Sequence, residues 1–171
     1  MMTVHPLSPV YSSSSRVLIL GSFPSVISRE RGFYYAHPRN RFWPLISFLC
    51  GKKSVPVQIE EKIGLLLDNG IALWDVIAEC EITGSMDSNI RSPRPNQIGK
   101  ILEAAPIGPI FCNGTAAFTL YKQLILPETG REAVLLPSTS PANASFSMEK
   151  LKSVWGGALL PYLAKEGSVC R

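Results

Sequence analysis

VLILGSFPS, residues 17–25, decides the fold: an unbroken apolar run stops at a glycine and opens into a small, hydroxyl-bearing turn. A short run of Val, Leu and Ile with no polar alternation fits a strand buried on both faces, the situation of a strand inside a parallel sheet. Similar runs recur at residues 71–74, 110–112 and 133–136. Between them the apolar period lengthens to that of helices. Residues 43–50 end at Gly51, residues 56–69 repeat apolar side chains at 59, 63, 66 and 67 and end at Gly70, and Asn96 can cap a helix running to Ala105. Two further helices are expected at 115–125 and 148–165, the second interrupted by Gly156-Gly157 and by Pro161. The alternation predicts an α/β protein, a three-layer α/β/α domain around a mainly parallel sheet of about four strands.

Working outward, residues 1–15 are polar, Ser-rich and Pro-containing and read as a flexible arm, leaving residues 16–171 as a single domain. Residues 81–95, with Gly84, Pro93 and Pro95, form the longest connection without predicted structure. Its Arg91 and Arg94 are candidate phosphate contacts. At 171 residues, 46% hydrophobic and 18% charged, the chain can bury an ample core and has neither a disordered nor a membrane-spanning composition. Cys50, Cys80, Cys112 and Cys170 lack the spacing of a zinc or iron–sulfur site. They read as reduced thiols, and with no secretory signal the expected compartment is the cytoplasm, or the nucleoid within it, with no metal or cofactor.

In open α/β sheets ligands sit beyond the carboxyl ends of the strands. Four polar clusters fall there: GSFPS at 21–25, Asp75, Asn113-Gly114, and PSTSPAN at 137–143. A fifth, YYAHPRNRFW at 34–43, follows the first by a few residues. Around it, Arg29, Arg31, Arg39, Arg41, Lys52 and Lys53 stand against the single acid Glu30, a local positive potential suited to phosphates or simply a solvated basic loop. The whole chain carries +4.

GSFPS, AHPRNRFW (36–43), LWDV (73–76), FCNG (111–114) and LPSTSPAN (136–143) together resemble the uracil-DNA glycosylase superfamily, most closely its DNA-deoxyinosine (hypoxanthine) glycosylase branch, and less closely the mismatch-specific uracil and thymine glycosylases. AHPRNRFW is the most specific of these motifs. The mismatch-specific enzymes have GINPG in the first loop, with an Asn that positions water, where this chain has Phe23; other members place His or Asn where this chain has Leu136. The resemblance to the deoxyinosine branch therefore implies that Asn40 is the catalytic amide.

On that reading the protein, acting as a monomer on double-stranded DNA containing a deaminated base, extrudes the nucleotide and hydrolyses its N-glycosidic bond. Asn40 would accept a hydrogen bond from water and aim it at C1′. Gly21, Ser22, Phe23, Pro24, Ser25 and Asn113 would bind the base, whose six-position carbonyl a backbone N–H would prefer to the amino group of adenine. Tyr35 or Phe23 would offer a stacking ring. His37, Arg39, Arg41, Ser138, Thr139, Ser140, Pro141 and Asn143 would contact DNA, the last loop pressing into the strand gap. Each has a plainer reading: Asn40 as a loop-bracing amide, His37 as a structural imidazole, Phe42 and Trp43 as core aromatics, Asp75 as a loop brace. The other activities left open are uracil or G:T/U mismatch excision, a Ser-dependent hydrolase built on Ser22 or Ser25 with His37, and nucleic-acid binding without chemistry.

Overall fold

The computed structural model describes residues 1–163. The four expected strands are present as β2 (Val17–Gly21), β3 (Ile71–Asp75), β6 (Ile110–Asn113) and β7 (Val134–Leu136), in one parallel sheet of order β3-β2-β6-β7. Strand β2 is central, pairing residue for residue with β3 from Val17↔Ile71 to Gly21↔Asp75 and with β6 from Leu18↔Ile110. All five of its residues are buried, because successive side chains enter opposite cores. Val17 and Ile19 join helices α2 (Phe42–Leu49), α3 (Ile59–Asp68) and α7 (Met148–Leu159) on one face; Leu18 and Leu20 join α4 (Ile98–Ala104) and α5 (Thr115–Leu124) on the other. Helices α1 (Val26–Arg31) and α6 (Leu126–Thr129) complete the three-layer α/β/α arrangement. Among the described residues no helix is long and apolar enough to cross a membrane.

Four expectations need correction. The flexible arm is tied down: β1 (Met2–Val4) pairs antiparallel with β4 (Ile77–Glu81), Val10 bridges to Leu73, and Leu7 and Val10 are buried. The supposed structureless connection holds a 3₁₀ turn (Asp87–Asn89) and β5 (Arg91–Pro95), which completes a second sheet of order β1-β4-β5. Asn96 does not cap α4; its Nδ2 donates to the carbonyls of Asp75 and Ile77 and braces the corner where β3 becomes β4. Helix α7 runs unbroken through Gly156-Gly157 and ends before Pro161, which lacks the N–H to continue it. The expected end of that helix at Lys165, and Cys170, lie outside the described residues.

The N-terminal segment is anchored by His5. Its Nδ1 accepts the Leu7 amide at 3.2 Å, so Nε2 carries the proton and donates to Asp75 Oδ2 at 2.7 Å. Both side chains are nearly sealed, 3% and 5% exposed. Changing His5 to Ala strands a buried carboxylate and is expected to cost about 3–5 kcal/mol. Urea denaturation checks this, and a change within about 0.5 kcal/mol would mean the segment is as loose as its composition suggests.

Candidate active site

The carboxyl edge of the parallel sheet opens into a cavity of about 510 Å³. Its floor is the turn after β2. Ser25 caps α1 by accepting the Ser28 amide at 3.2 Å, and the helix ends at Gly32 in the left-handed region, φ 72°. The chain then doubles back through Phe33 and Tyr34, both buried, to Tyr35, a non-glycine residue at φ 53°. Tyr35 is no free stacking platform: its ring lies on Phe42, centroids 4.1 Å apart. Its hydroxyl is enclosed without a protein hydrogen bond among the described residues, and burial above all, then the charge of Asp75, holds the phenol well above its usual pKa. A side chain at position 21 has no room here, since a Cβ on Gly21 would stand 2.4 Å from Asp75 Oδ1 and 3.0 Å from the Tyr35 hydroxyl. Phe23 lines the cavity from the second core, edge-on to His5 and under the Arg29 guanidinium.

Asn40 lies on this cavity, as does Asn113, and one buried hydroxyl ties them together. Asn113 Nδ2 donates to Thr139 Oγ1 at 3.0 Å, and Thr139 Oγ1 donates to Asn40 Oδ1 at 2.9 Å. The Thr139 amide returns a bond to Asn113 Oδ1 at 3.0 Å, and the Phe42 amide gives Asn40 Oδ1 its second donor at 2.9 Å. The orientation of the Asn40 amide follows from these donors, and it corrects the sequence reading. Its carbonyl is already doubly used, so the group left without a protein partner among the described residues is Nδ2, a donor. Asn113 is likewise oriented by Thr139 at both ends and keeps one N–H and one lone pair.

Several expected DNA contacts are turned inward. Arg41 donates from Nη2 to the carbonyls of Ser140 (2.8 Å) and Asn143 (3.1 Å), from Nε to that of Thr139 (3.4 Å), and from Nη1 to that of Phe146. The guanidinium fork thus holds the last loop together from within. Thr139 is 1% exposed and belongs to the amide chain. Asn143 folds on its own loop through Nδ2 to the Ser138 carbonyl at 3.1 Å. Arg94 and Arg91 stay exposed, Arg94 pairing with Glu79 and Arg91 with the carbonyls of Ser88 and Ile90. Ser138, Ser140 and Pro141 remain on the cavity rim with His37, and Arg39 is exposed beside them. The hydrolase arrangement is not assembled: Ser22 donates to Asp87, Ser25 to Ser28, and His37 Nδ1 accepts the Arg39 amide.

What sequence reasoning missed is one whole wall. Ser85, Met86, Asp87 and Ser88, from the excursion between β4 and β5, face the cavity and are pinned to the floor by the Ser22 hydroxyl on Asp87 and the Val26 amide on Ser85 Oγ. Asp75, read as a brace, also lines the cavity. Desolvation in the cleft raises the carboxyl pKa of Asp87; Asp75 adds to the rise and the Ser22 hydrogen bond opposes it. At the head of β6, Cys112 is buried and its thiol is pushed up to about 12, an inert packing group beneath the site.

The cavity at the carboxyl edge of the parallel sheet thus holds a rigid amide, Asn40, among small and hydroxyl-bearing loops. The chain belongs to the uracil DNA glycosylase superfamily, whose family model matches residues 8–163. It is 36% identical over 147 residues to the hypoxanthine DNA glycosylase of Methanosarcina acetivorans, covering 85% of this chain and 91% of that one. It is 32% identical over 151 residues to the enzyme of the same name from Methanosarcina barkeri, covering 88% and 94%. A solution NMR structure of a candidate uracil DNA glycosylase from Methanosarcina acetivorans superposes with a TM-score of 0.79 at 32% identity, over 95% of this chain and 99% of the other.

Two outcomes follow from the geometry. Arg41→Ala leaves four carbonyls of the last loop without their shared donor and is expected to lose about 2–4 kcal/mol of stability, against no more than about 0.5 kcal/mol for exposed Arg39→Ala, both read by chemical denaturation. For Asp87 the raised pKa means the native state binds more protons than the unfolded one above the ordinary Asp range, so stability is present at low pH and is lost as pH rises through the native pKa. Asp87→Asn should therefore raise the melting temperature at pH 7 and leave it unchanged near pH 3; an equal effect at both would remove the electrostatic cause.

Proposed function

We propose that this chain is a monofunctional DNA glycosylase that rotates a deaminated base, hypoxanthine foremost, out of double-stranded DNA and hydrolyses its N-glycosidic bond. It acts as a monomer in the cytoplasm, at the nucleoid, without a cofactor. The supporting observation is the Asn40 carboxamide, fixed on the cavity by Thr139 and Phe42 with its Nδ2 left over.

Departure of the base builds positive charge on the sugar, and that electrophile needs a positioned water more than a strong base. A water accepting a hydrogen bond from Nδ2 keeps its second lone pair for C1′ and loses its proton to solvent once the bond forms. Because Oδ1 is held by two donors, the amide cannot rotate away as the reaction proceeds, and the gain is orientational. Among the described residues no lysine lines the cavity, so none of them offers an amine to form a Schiff base with the sugar. Base release without strand cleavage is the consequence. Phosphates are met at the rim, by Arg39, His37 and the loop bearing Ser138, Ser140 and Pro141, while Arg41 supports that loop from behind.

In single-turnover assays on a duplex with one deoxyinosine, Asn40→Ala is expected to slow base release about 100- to 10,000-fold, the usual span for a lost positioning or proton-handling group. Duplex affinity should stay within about threefold, because a neutral amide contributes little to the phosphate term. Release at the parental rate would remove Asn40 from the chemistry.

A further inference from the structure

Resting on the glycosylase reading, the next question is which group distinguishes a deaminated base from its amino parent. The Asn113 amide, the obvious reader of a base edge, is used at both ends by Thr139. Tyr34 donates its hydroxyl to the Ser8 carbonyl, and the Tyr35 hydroxyl is enclosed. Asp75 is 5% exposed and held by His5. Asp87 differs from all of these: it is exposed, it lines the cavity, and one of its carboxyl oxygens, Oδ1, is fixed by the Ser22 hydroxyl at the floor. Its other oxygen, Oδ2, has no protein partner among the described residues.

A carboxylate only accepts hydrogen bonds. Hypoxanthine carries a hydrogen on N1 beside its six-position carbonyl, whereas adenine carries a lone pair on N1 beside an amino group. Uracil offers the same carbonyl and ring N–H pattern as hypoxanthine. We propose that Asp87 is the specificity-determining residue, its free carboxyl oxygen accepting the ring N–H of the deaminated base and opposing the N1 lone pair of adenine. The neighbouring Ser22 bond holds that oxygen in one place, so selection acts through direction as well as charge. The role fits the position of Asp87 on the wall carried by the β4–β5 excursion, opposite in the chain from the catalytic amide.

The test uses the full chain and three substrates, duplexes carrying hypoxanthine, adenine or purine, the last having the N1 lone pair and nothing at C6. Asp87→Asn keeps an acceptor for Ser22 and offers N1 a donor instead. Its kcat/KM on hypoxanthine should fall about 10- to 100-fold and its hypoxanthine-to-purine ratio at least about tenfold, the scale expected when a polar partner is mismatched. Affinity for a duplex containing a baseless tetrahydrofuran site should change less than about twofold, because there is no base edge to read. A ratio that stays constant, or an equal fall on every base, would overturn the assignment and place Asp87 in structure or in sugar chemistry. If the unaltered protein releases no base from any duplex, it is the glycosylase reading itself that fails.

Discussion

The hydroxyl of Thr139 is the contact on which the site depends. It receives a bond from Asn113 at the end of β6 and gives one to Asn40 ahead of α2, while its own amide closes a ring with Asn113. Three loops distant in sequence thereby share one buried atom, 1% of the residue being exposed. In a medium of low polarity each of these groups left unpaired would forfeit about 1–3 kcal/mol, so the three bonds stand or fall together. The direction of the Asn40 amide is thereby determined by Thr139 and Phe42, which on the proposed function take no part in the chemistry themselves. Close packing supports the same junction: a Cβ on Gly114, at φ 96°, would lie 3.1 Å from Ser138 Cβ, so the last two loops meet almost backbone to side chain.

The site is also where the backbone is strained. Tyr35 at φ 53° carries an unfavourable conformation worth about 1–3 kcal/mol, and it persists because its neighbours are over-determined. Its ring is stacked on buried Phe42, Trp43 Nε1 donates to the Tyr34 carbonyl at 2.9 Å, and the Tyr34 hydroxyl reaches the Ser8 carbonyl at 2.7 Å. The aromatic stretch preceding Asn40 is thus mostly core, and its role is to deliver the amide to a fixed place.

How much of this the sequence discloses depends on the kind of interaction. The four parallel strands were legible because burial on both faces demands unbroken apolar runs, and β2, β3 and β6 have them. The second sheet was not, because β1 has only three residues, β4 (IAECE) carries two glutamates, and β5 (RSPRP) carries two prolines and two arginines; their pairing rests on backbone bonds that leave no unbroken apolar run. Asn40, the Gly21–Ser25 turn and Asn113 could be placed on one edge by strand order and by resemblance. The direction of Arg41 could not, since an arginine reads as surface charge until the carbonyls that surround it, 98 to 105 positions away, are in place. The same holds for His5 and Asp75, separated by 70 positions.

Two carboxyl groups inside a cleft that handles a polyanion need a reason. Unit charges about 4 Å apart repel by about 4 kcal/mol where the effective dielectric is near 20, and beyond about 8 Å physiological salt screens most of the effect. On the proposed function, acidic groups within the cavity would therefore discourage phosphate from entering while scarcely disturbing phosphates at the rim. A neutral base suffers no such repulsion and enters alone. Desolvation above all, and the nearby Asp75 in addition, raise the Asp87 carboxyl against the lowering effect of the Ser22 hydrogen bond. The two signs are thus kept apart, with the acids Asp75 and Asp87 lining the cavity and Arg39 exposed outside it, the separation that the proposed function requires of a site that takes a neutral base from a charged strand.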